Sequence, residues 1–274
     1  MKQTVNLIGA GHVGRVLGKL LAAQGFRIQQ VLTRSAASAQ QARDFIGAGS
    51  VATAYEQLHP ADMHVLAVGD DQIVPVCAAL ARAVPLQGSV VFHCSGALAS
   101  DQLQAARDVG ALVASVHPIR SFADPAAVAA QFSGTFCGIE GDDGAMAVLT
   151  PVLQAIGAQP VPINAAAKTV YHAAAVFASN YLVTVLDAAL RAYQAAGIPE
   201  PVARQLAQPL ASESMANVFR LGAATALSGP IARGDMATVA RQQQAVSTWD
   251  EETGTLYRAL VAPTVDLARR KHQK

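Results

Sequence analysis

The stretch Val5-Asn6-Leu7-Ile8-Gly9-Ala10-Gly11-His12-Val13-Gly14 decides how the rest of the chain is read. Its first four residues make a short, mostly apolar run of strand character. A GxGxxG turn follows at once, and Val13, Leu17, Leu20 and Leu21 then recur at helical spacing. Between a strand and a helix, such a turn suits a pyrophosphate. Gly9 permits the tight turn, Gly11 lets the backbone approach the phosphates, and Gly14 lets helix and strand pack closely. The helix start adds free N–H groups and positive potential. Gly9, Gly11, His12, Val13 and Gly14 are therefore the first cofactor-binding candidates, with a purely structural glycine turn as the alternative.

Working outward, β-branched runs at 26–32, 64–68, 89–92, 111–116, 135–139 and 159–163 alternate with helical periods, as in a mostly parallel sheet covered on both faces. Beyond 163 the strand-like runs stop, and Ala, Leu, Gln and Arg dominate through about four or five helices. The expected organisation is an α/β domain over 1–163 and an all-α domain over 164–274, the latter interrupted by an ordered loop at 227–235.

An NAD-type site would place an acid at the end of the second strand, about 20 residues beyond the glycine turn, to bind the adenosine ribose. None is present, since the first acidic residue of the chain is Asp44. Thr33-Arg34-Ser35 stands there instead. A guanidinium between two hydroxyls suits a 2′-phosphate, which it can meet with two parallel hydrogen bonds, so the cofactor expected is NADP. The alternative leaves Arg34 a solvated loop charge.

In a sheet of this kind ligands sit beyond the carboxyl ends of the strands. Val68 and Gly69 there are cofactor-binding candidates, Asp71 is expected to cap a helix, and Ser95 in His93-Cys94-Ser95-Gly96 could face a nicotinamide. His117-Pro118-Ile119-Arg120 offers an imidazole to carry a proton and a guanidinium to hold an anion. His117 could equally satisfy backbone groups before a proline-fixed turn. Lys168, His172 and Ser179 share one face of an apolar helix, with Asn180 beside them. That stripe reads as proton donors over the nicotinamide or as a polar helix contact. Arg233 is a second candidate anion holder, and Asp235 is expected to cap the next helix.

Composition narrows the class. The chain has 274 residues, 52% of them hydrophobic and 14% charged, with a formal charge of +1. No global field draws it to nucleic acid or anionic lipid. Cys77, Cys94 and Cys137 are odd in number and lack a CxxC pair, so neither a disulfide framework nor a thiolate metal site is expected, and Cys94 and Cys137 read as packing residues. The same cysteine usage makes a reducing cytoplasm the expected location, and the most apolar later stretch, 173–185, is too short to span a bilayer, so no membrane segment is expected. Two-fold dimers are the commonest assembly, and the helical half has the apolar content for a homodimer.

The segments GAGHVG from Gly9, HCSGAL from His93, HPIRSF from His117, YHAAAVFASNY from Tyr171 and SGPIARGD from Ser228 together resemble bacterial Rossmann-like proteins with an uncharacterised helical C-terminal domain. That family is related to the phosphogluconate dehydrogenase and pyrroline-carboxylate reductase group, and the resemblance covers almost the whole chain. It implies an N-terminal dinucleotide domain, a helical domain that commonly dimerises, and an active site between them. In the superfamily's hydroxyacid dehydrogenases a helical Lys with an Asn four residues on activates the substrate, whereas here His172 stands four after Lys168. Prephenate dehydrogenases have a His-Pro after a comparable strand, as at His117. The function expected is NADP-dependent hydride transfer to or from a small carbonyl or imine, with His172, Lys168, His117 and Asn180 as catalytic candidates and Arg120 and Arg233 on the substrate. The alternative is a non-catalytic NADP(H)-binding sensor or interaction protein.

Overall fold

A computed structural model describes residues 3–272. The chain divides into two compact units, Met1–Phe177 and Ala178–Lys274.

The first unit holds eight strands: β1 Thr4–Ile8, β2 Arg27–Leu32, β3 Ser50–Ala52, β4 Met63–Leu66, β5 Val90–His93, β6 Leu112–Pro118, β7 Phe136–Gly141 and β8 Gln159–Pro162. They form one sheet in the order β3-β2-β1-β4-β5-β6-β7-β8. Every neighbouring pair is parallel except β6 with β7. The expected α/β class with a mostly parallel sheet is what the structure has. Seven strands match the apolar runs read from the sequence; β3, three residues long, is too short to show a period.

Side chains alternate between the faces, and both faces are covered, so strands read as continuous apolar runs. Leu7, Val65, Phe92 and Ala114 pack on one side with Val16, Leu17 and Leu21 of α1 (His12–Ala23), Ile46 of α2 (Ala36–Ile46), and Leu149 and Leu153 further on. Ile8, Leu66, Val91 and Val113 pack on the other with Ile73, Cys77 and Leu80 of α3 (Ile73–Ala83) and Ala106 of α4 (Gln104–Arg107). The unit also contains α5 (Pro125–Ala130), α6 (Asp143–Ala155) and α7 (Lys168–Val176). The chain leaves β1 toward β2 on one side, and β4 lies on the other. Their carboxyl ends therefore flank the crevice at which such sheets bind ligands.

The second unit is helical: α8 Leu182–Ala195, α9 Glu200–Leu221, α10 Ala223–Ala226, α11 Met236–Trp249 and α12 Glu251–His272. Gly222 ends α9 at a φ of +80°. Asp235 caps α11 as expected, accepting from the Thr238 N–H at 3.0 Å. A five-residue π turn, Phe177–Tyr181, lies between α7 and α8.

Candidate active site

At the end of β1 the glycine turn has the shape a phosphate needs. Gly9 sits at φ +80°, and a Cβ there would come within 2.5 Å of the Ala67 carbonyl oxygen. A Cβ on Gly14 would lie 2.7 Å from the Gly9 carbonyl oxygen and 2.8 Å from Ala67 Cβ. These two glycines press helix, turn and β4 together. Gly11 differs: a Cβ there would meet nothing within 4 Å. Open space thus lies over the start of α1, where no side chain caps the N–H groups and the first turn has no acid. The residues present fit a dinucleotide's phosphates. His12 turns away, its Nδ1 donating to the Phe122 carbonyl at 2.6 Å. Val68, whose Cγ1 would lie 2.6 Å from a Gly9 Cβ, and Gly69 follow β4 beside the turn.

Thr33, Arg34 and Ser35 lead from β2 into α2. The Ser35 hydroxyl caps that helix, accepting from the Ser38 N–H at 3.2 Å, and the Thr33 hydroxyl donates to the Ser35 carbonyl at 2.9 Å. Arg34 is exposed, with no hydrogen bond or ion pair to the described residues. An uncommitted guanidinium at a helix N-terminus fits a 2′-phosphate.

The chemical groups gather past β5 and β6. His117 lies inside β6, not after it, because antiparallel pairing with β7 carries the ladder on to Pro118 and sets His117 opposite Gly138. Its Nδ1 shares a hydrogen bond of 2.9 Å with the Tyr171 hydroxyl, and the rings meet edge to face at 5.6 Å. His172 approaches the other side of His117, ring centroids 5.4 Å apart. Both imidazoles close on Gly96. A Cβ on Gly96 would lie 2.3 Å from His172 Nδ1 and 2.8 Å from His117 Nε2, and one on Gly138 would lie 2.3 Å from the Tyr171 oxygen. His172 Nδ1 is buried with no hydrogen-bond partner among the described residues.

The Gly96 loop is shaped from beneath. His93 Nε2–H donates to the Ala99 carbonyl at 3.0 Å, and His93 Nδ1 accepts from the Ser95 N–H at 3.1 Å, which fixes that ring as a neutral tautomer. The Ser95 hydroxyl accepts from the N–H groups of Ala97 and Leu98 at 3.1 and 3.0 Å, so it shapes the loop. Its carbonyl accepts from Lys168 Nζ at 3.0 Å, and Nζ also donates to the Ser115 hydroxyl and lies 3.6 Å from Glu140 Oε1.

Burial sets the electrostatics. It pulls His117 down to about 4, helped by His172 and Lys168 and opposed by Asp70. Loss of water also lowers Lys168, with Glu140 pulling the other way. Burial pushes Tyr171 up to about 12 and the Cys94 and Cys137 thiols likewise to about 12. Cys137 is buried and Cys94 partly so.

Among the remaining candidates, Arg120 donates through Nη1 to the Gln131 carbonyl and to Thr135 Oγ1, at 3.3 Å in the second case, and so braces its own loop. Asn180 and Arg233 belong to the second unit, both exposed, Asn180 within the π turn. Ser179 lies in the same turn, where the 3.6-residue period does not hold, so the expected stripe ends at His172. Asp71 does not cap α3: its carboxylate accepts from the Gln72 side-chain amide at 2.8 Å, because a 3-10 turn over Asp70–Gln72 precedes that helix.

Sequence reasoning missed Tyr171, Gly96, Gly138, Ser115, Ser100 and Glu140. Glu140 carried a signal, as the lone charge in the apolar strand β7. A buried charge in a strand and another in an apolar helix call for each other.

Comparison with known proteins agrees with this architecture. A Rossmann-like domain model matches residues 1–118, and a model described as a domain of unknown function (DUF2520) matches 135–264. No protein of curated function matches the sequence. A Bacteroides fragilis structure named a "putative NADP oxidoreductase" superposes with a TM-score of 0.78 at 21% identity, over 100% of this chain and 99% of that one. A Thermotoga maritima protein gives 0.73 at 26% identity, over 98% and 99%. A reductive aminase from Aspergillus terreus, in complex with NADPH and ethyl-5-oxohexanoate, gives 0.68 at 15%, over 100% and 94%.

Proposed function

We propose that this chain, which pairs a Rossmann-like domain with a DUF2520 domain, is an NADP-dependent oxidoreductase acting on a small carbonyl or imine compound. One observation carries the reading: the imidazoles of His117 and His172 converge on Gly96, just past β5, with the Tyr171 hydroxyl bonded to His117 Nδ1, one strand from β4 and two from the glycine turn of β1. When bound, the nicotinamide supplies or takes the hydride. The chain binds the phosphates at Gly9, Gly11, Val13 and Gly14, receives the 2′-phosphate at Arg34, and moves the proton.

His117 is the group suited to that proton. It is neutral at pH 7, and its Nε2 has no hydrogen-bond partner in the described residues. The Tyr171 hydroxyl on its Nδ1 can donate or accept, so it supports either tautomer. With the hydrogen on Nε2 the ring gives a proton to a carbonyl oxygen or imine nitrogen; with it on Nδ1 the ring takes a proton from a hydroxyl or amine. His172 forms the other wall.

The named relatives support the cofactor class, because the reductive aminase was solved with NADPH. A cytoplasmic setting fits three free cysteines. The test follows NADPH consumption across ketoacids, aldehydes and cyclic imines. Turnover with one class, lost in His117→Asn while NADPH still binds, is expected, as is a selective loss of NADPH over NADH affinity in Arg34→Ala. Tight NADPH binding with no oxidation by any class would instead make the protein a sensor of the cofactor.

A further inference from the structure

Proton transfer through His117 leaves one buried cation without a task. The Lys168 side chain is 1% exposed and that of Glu140 8%. An ammonium has three N–H bonds, and here three acceptors surround it: the Ser95 carbonyl, the Ser115 hydroxyl and Glu140 Oε1. Glu140 is held in turn. Its Oε1 accepts from the Ser100 N–H at 2.8 Å and its Oε2 from the Ser100 hydroxyl at 2.7 Å, while Ser115 Oγ also donates to the Ser95 carbonyl at 3.2 Å. Nζ thus donates two hydrogen bonds and pairs with a carboxylate, all to groups of the sheet unit, from a side chain that is 1% exposed.

Desolvating two charges costs several kcal/mol each, and apolar residues of similar volume often serve stability as well or better. What such a pair adds here is geometry. Lys168 ties α7 to the loop after β5 through Ser95, to β6 through Ser115 and to β7 through Glu140. Tyr171 and His172, three and four residues on, share its helix face. We infer that Lys168 is a positioning residue and not a proton donor: it fixes α7 against the Ser95 carbonyl so that His172 and Tyr171 close on Gly96 and His117. The inference rests on the reading of His117 as the proton carrier.

The test is the double variant Lys168→Met with Glu140→Gln, in which both charges go and Gln can still accept from Ser100. Two readouts are independent. In the protein without cofactor, the His117 C2–H proton resonance, identified by its loss in His117→Asn, is followed against pH. His172, Lys168, Tyr171 and Asp70 face or act on that ring. Removal of the Lys168 charge and release of α7 should raise the His117 midpoint. With NADPH and substrate, turnover should fall on the order of 10- to 100-fold, the scale of a sub-ångström to ångström misplacement, while NADPH affinity, set at the glycine turn, stays unchanged. Ser115→Ala, which removes one acceptor of three, should move both readouts the same way by less, and it stands in if the double variant does not fold. An unchanged His117 midpoint together with wild-type turnover in the folded variant overturns the inference. A wild-type protein without NADPH turnover would sink the oxidoreductase reading alone, since the His117 midpoint still reports on Lys168.

Discussion

His117 is the residue through which pH should reach this site. Burial, His172 and Lys168 hold it at about 4 against the pull of Asp70, below the ordinary 6.5, so its folded form resists the proton. The sign follows. Between 6.5 and about 4 the unfolded chain binds the proton and the folded one does not, so the stability from this group is full above 6.5 and is lost as pH falls through that window. Urea titrations of the wild type should show that decline, and His117→Asn should shallow it. In the oxidation direction, kcat/KM should be level near neutrality and fall toward about 4, with the limb displaced in Tyr171→Phe. The candidate histidines were legible because few side chains carry protons near neutral pH. Their partners were not. Gly96 matters only for the space it leaves, and which of the 19 acidic residues meets Lys168 depends on β7 lying beside β6, a long-range fact.

At the scale of the element, the glycine turn was readable because each glycine answers a local need, and the structure separates those needs. Gly9 and Gly14 serve packing, whereas Gly11 serves approach. Gly9→Ala should cost about 1–2 kcal/mol from the left-handed backbone alone, and more from the contact with the Ala67 carbonyl. Gly11→Val should leave the thermal midpoint nearly unchanged, because its side chain enters open space, yet remove NADPH binding by filling the room for the phosphates. Thermal unfolding and cofactor titration of the pair would check the contrast; equal loss of stability in both would erase it. β7 escaped this local logic. Its composition predicts a strand but not its direction, and its reversal moves His117 from a loop into β6.

For the molecule as a whole, the apolar surface is the unanswered term. The helical run Ala165–Ala195 contains an 18-residue window of mean hydropathy 1.5, with none of that window buried, and the run is long and apolar enough to cross a membrane by length and composition. The expectation of a stretch too short to span came from reading 173–185 alone, without the helical turns that extend it. Against a span stands Lys168, inside that run and tied into the sheet unit by Ser95, Ser115 and Glu140. On α9, Val202, Leu206 and Leu210 follow one another four residues apart at 43, 45 and 59% exposure, an apolar stripe along one helix face. Stripes of this kind on a soluble protein mark a surface that something covers, and a two-fold copy of the same chain is the commonest cover. We therefore expect sedimentation equilibrium in detergent-free buffer to give twice the 28.3 kDa chain mass. Leu206→Asp with Leu210→Asp should return the single-chain mass with an unchanged far-ultraviolet spectrum, because both side chains already face outward. A wild-type protein at the single-chain mass would mean that the stripe meets no second copy, and recovery only with detergent or vesicles would turn the argument toward the membrane.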